Sequence, residues 1–86
     1  MLEIRYAPSF VRMYARLPAS LKSEIKEKIS TFRDKGNHDA LKVHKLKGNL
    51  ENTFSFSVNY KIRVIFEYED KKSVNLLLVG GHDNVY

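Results

Sequence analysis

Thr53-Phe54-Ser55-Phe56-Ser57-Val58-Asn59-Tyr60-Lys61-Ile62-Arg63-Val64-Ile65-Phe66-Glu67-Tyr68 is the stretch on which the fold turns. Phe54, Phe56 and Val58 alternate with Ser55 and Ser57, while Ile62, Val64, Phe66 and Tyr68 alternate with Lys61, Arg63 and Glu67. Successive side chains of a strand point to opposite faces, so each run predicts a strand with one apolar and one polar face. Two neighbouring antiparallel strands are expected, turning near Asn59. Beyond them, Asp70-Lys71-Lys72-Ser73 makes a further turn. Val74 to Val79 is then apolar at both parities, as a strand covered on both faces is, which predicts a central position in the sheet.

Upstream, the periodicity changes. Leu21, Ile25, Ile29 and Phe32 recur at helical spacing up to Gly36, with Glu24 and Lys28 in the favourable order for an ion pair on a helix. Gly36 suits the end of that helix. Phe10, Met13, Tyr14 and Leu17 mark an earlier amphipathic helix, with Pro8 in its first turn, and the two helices meet near Leu17-Pro18. Leu2, Ile4 and Tyr6 alternate with Glu3 and Arg5 as a half-buried strand. Gly36-Asn37-His38-Asp39 reads as a loop with His38 facing solvent, and Lys42 to Gly48 as a strand-like but basic segment.

The resulting order is β-α-α-β-β-β: an α+β domain spanning residues 1–86, its two helices packed on one face of a twisted, mainly antiparallel sheet. The helices bury their apolar stripes on that face. The opposite face keeps the polar members of each strand, and any site is expected there. With 43% hydrophobic and 29% charged residues, the chain has globular rather than disordered composition. It carries no cysteine, so neither disulfides nor thiolate metal sites support its small core. A formal net charge of +5 favours a polyanionic or acidic partner. Charges at Glu3 and Arg5 interrupt any signal-peptide run, and no stretch has membrane-spanning length, so a cytoplasmic protein without a membrane partner is expected.

Several residues exceed what folding needs. Lys42, His44, Lys45 and Lys47 crowd one short segment, although lysines on an edge strand also serve simply to discourage aggregation. Arg63 alternates with the apolar set of its strand, so its guanidinium belongs to the open face, where its planar donors suit a phosphate. His82 and Tyr86 follow the last strand, and Gly80-Gly81 would let the backbone turn and bring both rings onto that face. No glycine-rich phosphate loop, paired-histidine zinc signature or acidic calcium loop occurs, and no cofactor is expected.

Taken together, Leu17-Pro18, His44-Lys45-Leu46-Lys47-Gly48, Asn59-Tyr60-Lys61-Ile62-Arg63-Val64-Ile65 and the ending Val79-Gly80-Gly81-His82-Asp83-Asn84-Val85-Tyr86 resemble the RelE/ParE toxin superfamily over nearly the whole chain. The resemblance implies a microbial-RNase-like fold and a cognate antitoxin that wraps and inhibits the toxin, in an assembly able to bind operator DNA through the antitoxin. In the RelE and YafQ-like branches it also implies ribosome-dependent cutting of messenger RNA in the A site, beside ribosomal RNA. Matched to those branches, His44, Lys45 and Lys47 fall on the basic segment that carries catalytic histidine or lysine, and Arg63 on the strand arginine. His82 falls on the C-terminal histidine and Tyr86 on the terminal aromatic. Ser57 stands near a YafQ-like histidine, Lys61 near an aspartate, and no acidic residue matches the YoeB-like glutamate.

The expected chemistry is attack of a ribose 2′-hydroxyl on the adjacent phosphate without a metal ion, leaving a cyclic phosphate. Arg63 would clamp the developing charge, His82 would be general acid, His44 general base, and Tyr86 would stack on a base. Lys42, Lys45, Lys47 and Lys61 would hold phosphates, with Lys45 or Lys47 acting as base only if neighbouring cations lowered its pKa. The competing expectation is a ParE-like inhibitor of DNA gyrase with no chemistry of its own. A third is a chain that only binds antitoxin and DNA.

Overall fold

The structure is a computed structural model that describes residues 1–46 and 52–81. Its elements run β1 (Glu3–Tyr6), α1 (Pro8–Ala15), α2 (Ala19–Phe32), a 3-10 turn (Lys35–Asn37), β2 (His44–Lys45), β3 (Thr53–Ser57), β4 (Ile62–Tyr68) and β5 (Ser73–Gly81). One five-stranded sheet has the order β1-β5-β4-β3-β2. β1 pairs with β5 in parallel and all other pairs are antiparallel. Interior β5 thus matches its expected place between two neighbours, although β4 is the middle strand.

The helices form where the spacing of apolar residues demands them. Pro8 opens α1 with a backbone angle already helical and no N–H to waste, and Pro18 sits at the N-cap of α2, so a short turn over residues 16–18 separates the two helices. Phe10 from α1 and Ile25, Ile29 and Phe32 from α2 point onto the sheet, where they meet Phe56, Val58, Val64, Phe66, Val74, Leu76 and Val79. Phe32 is fully buried at the centre, with ring centroids 4.4 Å from Phe56 and 4.7 Å from Phe66.

Between β4 and β5 the register slips: Ile65 faces Leu78, but Phe66 faces Leu76. The extra residue, Leu77, is a bulge, which reverses the alternation of β5 and lets both Leu76 and Val79 face the helices. Apolar residues at both parities of this strand therefore have a second cause besides coverage on two faces. The bulge also frees the Leu77 carbonyl to accept a 2.6 Å hydrogen bond from the Ser9 hydroxyl, which ties α1 to the sheet.

Three local expectations are corrected. The basic segment contributes a fifth strand, reduced to His44–Lys45 at the sheet edge, because Lys42 takes a left-handed backbone angle (φ 57°) that no strand residue adopts. His38 does not face solvent: its ring stacks on Phe32 at 4.6 Å, and its Nε2 lies 2.8 Å from the Phe32 carbonyl, which caps the end of the core. Gly80 and Gly81 do not turn the chain but extend β5, paired with Arg63 and Ile62.

Candidate active site

On the sheet face away from the helices, two cross-strand rows carry the polar residues. One row is His44, Ser55, Ile65 and Leu78, and the next is Ser57, Arg63 and Gly80. Directly opposed residues point to the same face, so the registers alone put His44 and Arg63 on one surface. They are two strands and one row apart, about 12 Å between backbones at ordinary sheet spacings. The face is not open throughout, since Ser55 is fully buried and Ile65 is 2% exposed. Arg63 is half-buried and His44 exposed.

Arg63 is held from across the strand pair: its Nη1 donates to the Ser57 hydroxyl. That bond uses one donor and leaves the rest of the planar fork for another acceptor. Gly80, its neighbour on the other side, has no side chain to obstruct the guanidinium. Neither Glu67 nor Glu3 neutralises it. Among the described residues the ion pairs are those of Arg5, with Glu3 at 4.0 Å and Glu69 at 3.3 Å.

His44 is oriented by the turn before it. Its Nδ1 lies 2.9 Å from the Lys42 carbonyl. A carbonyl only accepts, so Nδ1 carries the proton and Nε2 of the neutral ring presents a lone pair. Nε2 lies 3.4 Å from the Ser55 hydroxyl, from which it accepts a long hydrogen bond in this tautomer. The left-handed Lys42 is what curls its carbonyl back to the imidazole two residues on.

The remaining expected residues distribute unevenly. Lys61, at the turn between β3 and β4, is exposed and shares the parity of Arg63. Lys42 is exposed in the turn preceding β2. Lys45 faces Phe54, whose side chain packs against the core, so it lies on the helix side of the sheet edge, apart from His44 and Arg63. Lys47, His82 and Tyr86 lie outside the described residues. Two residues escaped the sequence reading. Ser57 was noted only as a departure, yet it anchors Arg63. Tyr60 is 84% exposed at the adjacent turn, with the Lys61 ammonium 5.5 Å from its ring centre. An aromatic residue sitting in a turn, outside both alternating runs, was the available signal for the latter.

Concavities also lie away from this face. Tyr6, Phe10, Val11, Tyr14, Lys26 and Ile29 line an apolar cleft of about 180 Å³ between β1 and the helices. A wider one of about 660 Å³ is lined by Met1, Leu2, Arg33, Asp34, Lys35, Lys71 and Lys72. Among the described residues no cluster of His, Asp or Glu is arranged to hold a metal ion, and no helix is long and apolar enough to cross a membrane.

Two helices on one face of a five-stranded mixed sheet match the fold of RelE-like toxins. A family model described as the RelE-like toxin of type II toxin-antitoxin system HigB matches residues 11–81, and the chain belongs to that family. A search of the curated proteins finds no match. Among solved structures, YafQ from E. coli superposes with a TM-score of 0.78 at 14% identity, covering 96% of each chain. A copper-bound mutant toxin from Helicobacter pylori gives 0.77 at 22% identity, covering 100% of each. The YoeB-YefM complex from Staphylococcus aureus gives 0.72 at 21% identity, covering 95% of this chain and 98% of the other. At these identities the superpositions establish a shared fold.

Proposed function

We propose that this toxin is a cytoplasmic endoribonuclease that cuts messenger RNA on the ribosome and is restrained by a cognate antitoxin. The observation that carries the reading is a serine-anchored Arg63, without an ion pair among the described residues, on the same sheet face as a His44 oriented by the turn before it. A gyrase-binding surface needs neither feature.

In the proposed step, His44 Nε2 removes the proton of a ribose 2′-hydroxyl. The 2′-oxygen forms a bond to the adjacent phosphorus, and the bond to the 5′-oxygen breaks. A general acid, assigned to His82 from the sequence, protonates the leaving oxygen, so the products are a 2′,3′-cyclic phosphate and a 5′-hydroxyl. The free donors of Arg63 bind the non-bridging oxygens, where charge accumulates in the transition state. Its reach across the intervening strand suits a phosphate lying between it and His44. Lys61 and Lys42 add phosphate-directed charge at the two margins, while the phosphate-holding role of Lys47 and the base-stacking role of Tyr86 are assigned from the sequence; Lys45, on the other side of the sheet edge, adds only longer-range positive charge. Proton transfer and charge stabilisation by these side chains complete the step without a metal ion.

An antitoxin partner is supported by the family and by relatives solved as complexes, such as YoeB-YefM and E. coli RelBE. The apolar cleft around Val11, which is 51% exposed, offers such a partner an anchoring point. The deciding experiment is primer extension on messenger RNA loaded in bacterial ribosomes, with Arg63→Ala and ribosome-free controls. Stops within the A-site codon that require ribosomes and vanish in the variant are expected. Intact message together with gyrase-dependent DNA breaks would overturn the reading in favour of a ParE-like inhibitor.

A further inference from the structure

The turn between β3 and β4 is braced from several directions. It closes on a 2.9 Å bond from the Val58 N–H to the Ile62 carbonyl, and the Asn59 N–H donates to the same carbonyl at 3.3 Å. The side-chain oxygen of Asn59 accepts from the Lys61 N–H at 2.8 Å and from the Ile62 N–H at 2.9 Å. Its amide nitrogen donates to Glu24 at 2.7 Å, which fastens the turn to α2. Asn59 thus holds the turn through its own side chain, as asparagine does in tight turns, and none of these bonds uses the side chain of Tyr60.

What the bracing holds out is the Tyr60 ring, 84% exposed. Among the described residues no other ring lies against it, and its neighbour is the Lys61 ammonium, 5.5 Å from the ring centre. A ring so exposed adds little to folding, because apolar surface stabilises a fold only when it leaves water. A ring carried on a fixed backbone does suit binding, since less freedom is lost when a planar group settles on it.

Its position relative to Arg63 and His44 follows from the strand registers. Along β3 and β4 the row of His44, Ser55 and Ile65 comes first, and the row of Ser57 and Arg63 comes second. The two rows are about 7 Å apart at the ordinary rise of a strand. The turn lies beyond the second row, with Tyr60 at most about 10 Å along the chain from Arg63. Lys61, beside the ring, shares the parity of Arg63. General base, charge clamp and aromatic ring therefore follow one another along the strand direction.

That order sets which part of a message meets each group. In the proposed step His44 takes the proton of the 2′-hydroxyl, so it attends the nucleotide on the 5′ side of the cut. Arg63 holds the phosphate. The nucleotide that departs through its 5′-oxygen then continues past Arg63 towards the turn. We infer that Tyr60 is the stacking platform for the base of this leaving nucleotide, with Lys61 beside it for the next phosphate. The inference rests on the ribonuclease reading, which supplies the direction of the strand. Stacking requires only the flat face that every base has, so the platform holds the leaving nucleotide in line for attack whatever the sequence.

The test is equilibrium binding of the fluorescently labelled full-length chain to bacterial ribosomes programmed with a synthetic message. The message carries 2′-deoxyribose through the A-site codon and the nucleotide after it, so no 2′-hydroxyl is present to attack, and companion messages lack one base at each of those positions in turn. Tyr60→Ala should weaken binding about tenfold, as should removal of the base immediately 3′ to the bond that primer extension maps. The two changes together should cost no more than either alone, because they remove the same contact. Tyr60→Phe keeps the ring face and should stay within about twofold of the parent, and denaturant midpoints check that both variants are folded.

No loss in Tyr60→Ala, additive losses, coupling to the base on the 5′ side of the bond, or equal loss in Tyr60→Phe would each overturn the platform. Equal weakening on ribosomes without message would place the ring on the ribosome and overturn it as well. Weaker antitoxin binding with message affinity intact would assign Tyr60 to a protein partner instead. The two readings fail separately: absence of A-site stops from the unsubstituted message sinks the ribonuclease, whereas stops accompanied by additive binding losses sink the platform alone.

Discussion

The bond from Arg63 to Ser57 gives the sharpest consequence of the site. Ser57→Ala removes the one side-chain anchor that the guanidinium has among the described residues while leaving its charge and its strand in place. A hydrogen bond to a charged group contributes about 1.5 to 3 kcal/mol. Arg63 is only half-buried, so water replaces part of the loss, and the lower end, about 1.5 kcal/mol, applies. If that order is needed in the transition state, turnover falls about tenfold. Arg63→Ala removes the charge clamp itself and should cost about 100-fold or more. The assay is single-turnover cleavage of ribosome-bound message, with denaturant midpoints to show that both variants remain folded. Ser57→Thr keeps the oxygen on a residue that suits a strand, and should restore most of the activity. In the Arg63→Ala background, Ser57→Ala should have no further effect, because the serine acts only through the arginine. Equal loss in both backgrounds, or no rescue by threonine, would refute the positioning role.

Other predictions follow from the same structure. Phe32→Ala empties the centre of the aromatic cluster and should destabilise the fold by about 3 to 5 kcal/mol, read as a lower denaturant midpoint with unchanged slope. For an 86-residue domain that is a large share of the total stability. Val11→Glu places a charge in the apolar cleft and should weaken antitoxin binding at least tenfold in calorimetry, while cleavage by the free toxin is unchanged. The hydrogen bond from the Lys72 N–H holds the Asp70 carboxyl below the usual carboxylate range. Its stabilising effect is therefore present above the unfolded-state pKa and disappears as pH falls through the folded one. Asp70→Asn should flatten that acid limb in stability measured against pH, and an unchanged limb would show that the turn does not contribute.

Much of the sheet was legible because strand alternation is a local property. Phe54, Phe56 and Val58 had to share a face, and so did Val64 and Phe66, whatever they packed against, and the side of Arg63 followed from that parity alone. The helices were equally readable from Ile25, Ile29 and Phe32. The short strand at His44–Lys45 was less so, because it exists only through pairing with β3, and its start is set by the backbone angle of Lys42. His38 could not be placed from its polar neighbours, since the ring that covers it, Phe32, is oriented by β3 and β4.

Sequence by itself determined the element types, the helix-facing residues and the parity of Arg63, because side-chain periodicity acts over a few residues and responds only to the need to bury apolar surface. The tertiary structure decided what is set by register between distant segments. The parallel pairing of Ile4 with Val74, the bulge at Leu77, the serine across from Arg63 and the convergence of Lys35 with Lys71 all depend on which strand lies beside which. A one-residue slip would preserve the composition of every strand and yet reverse the face on which its functional side chains stand.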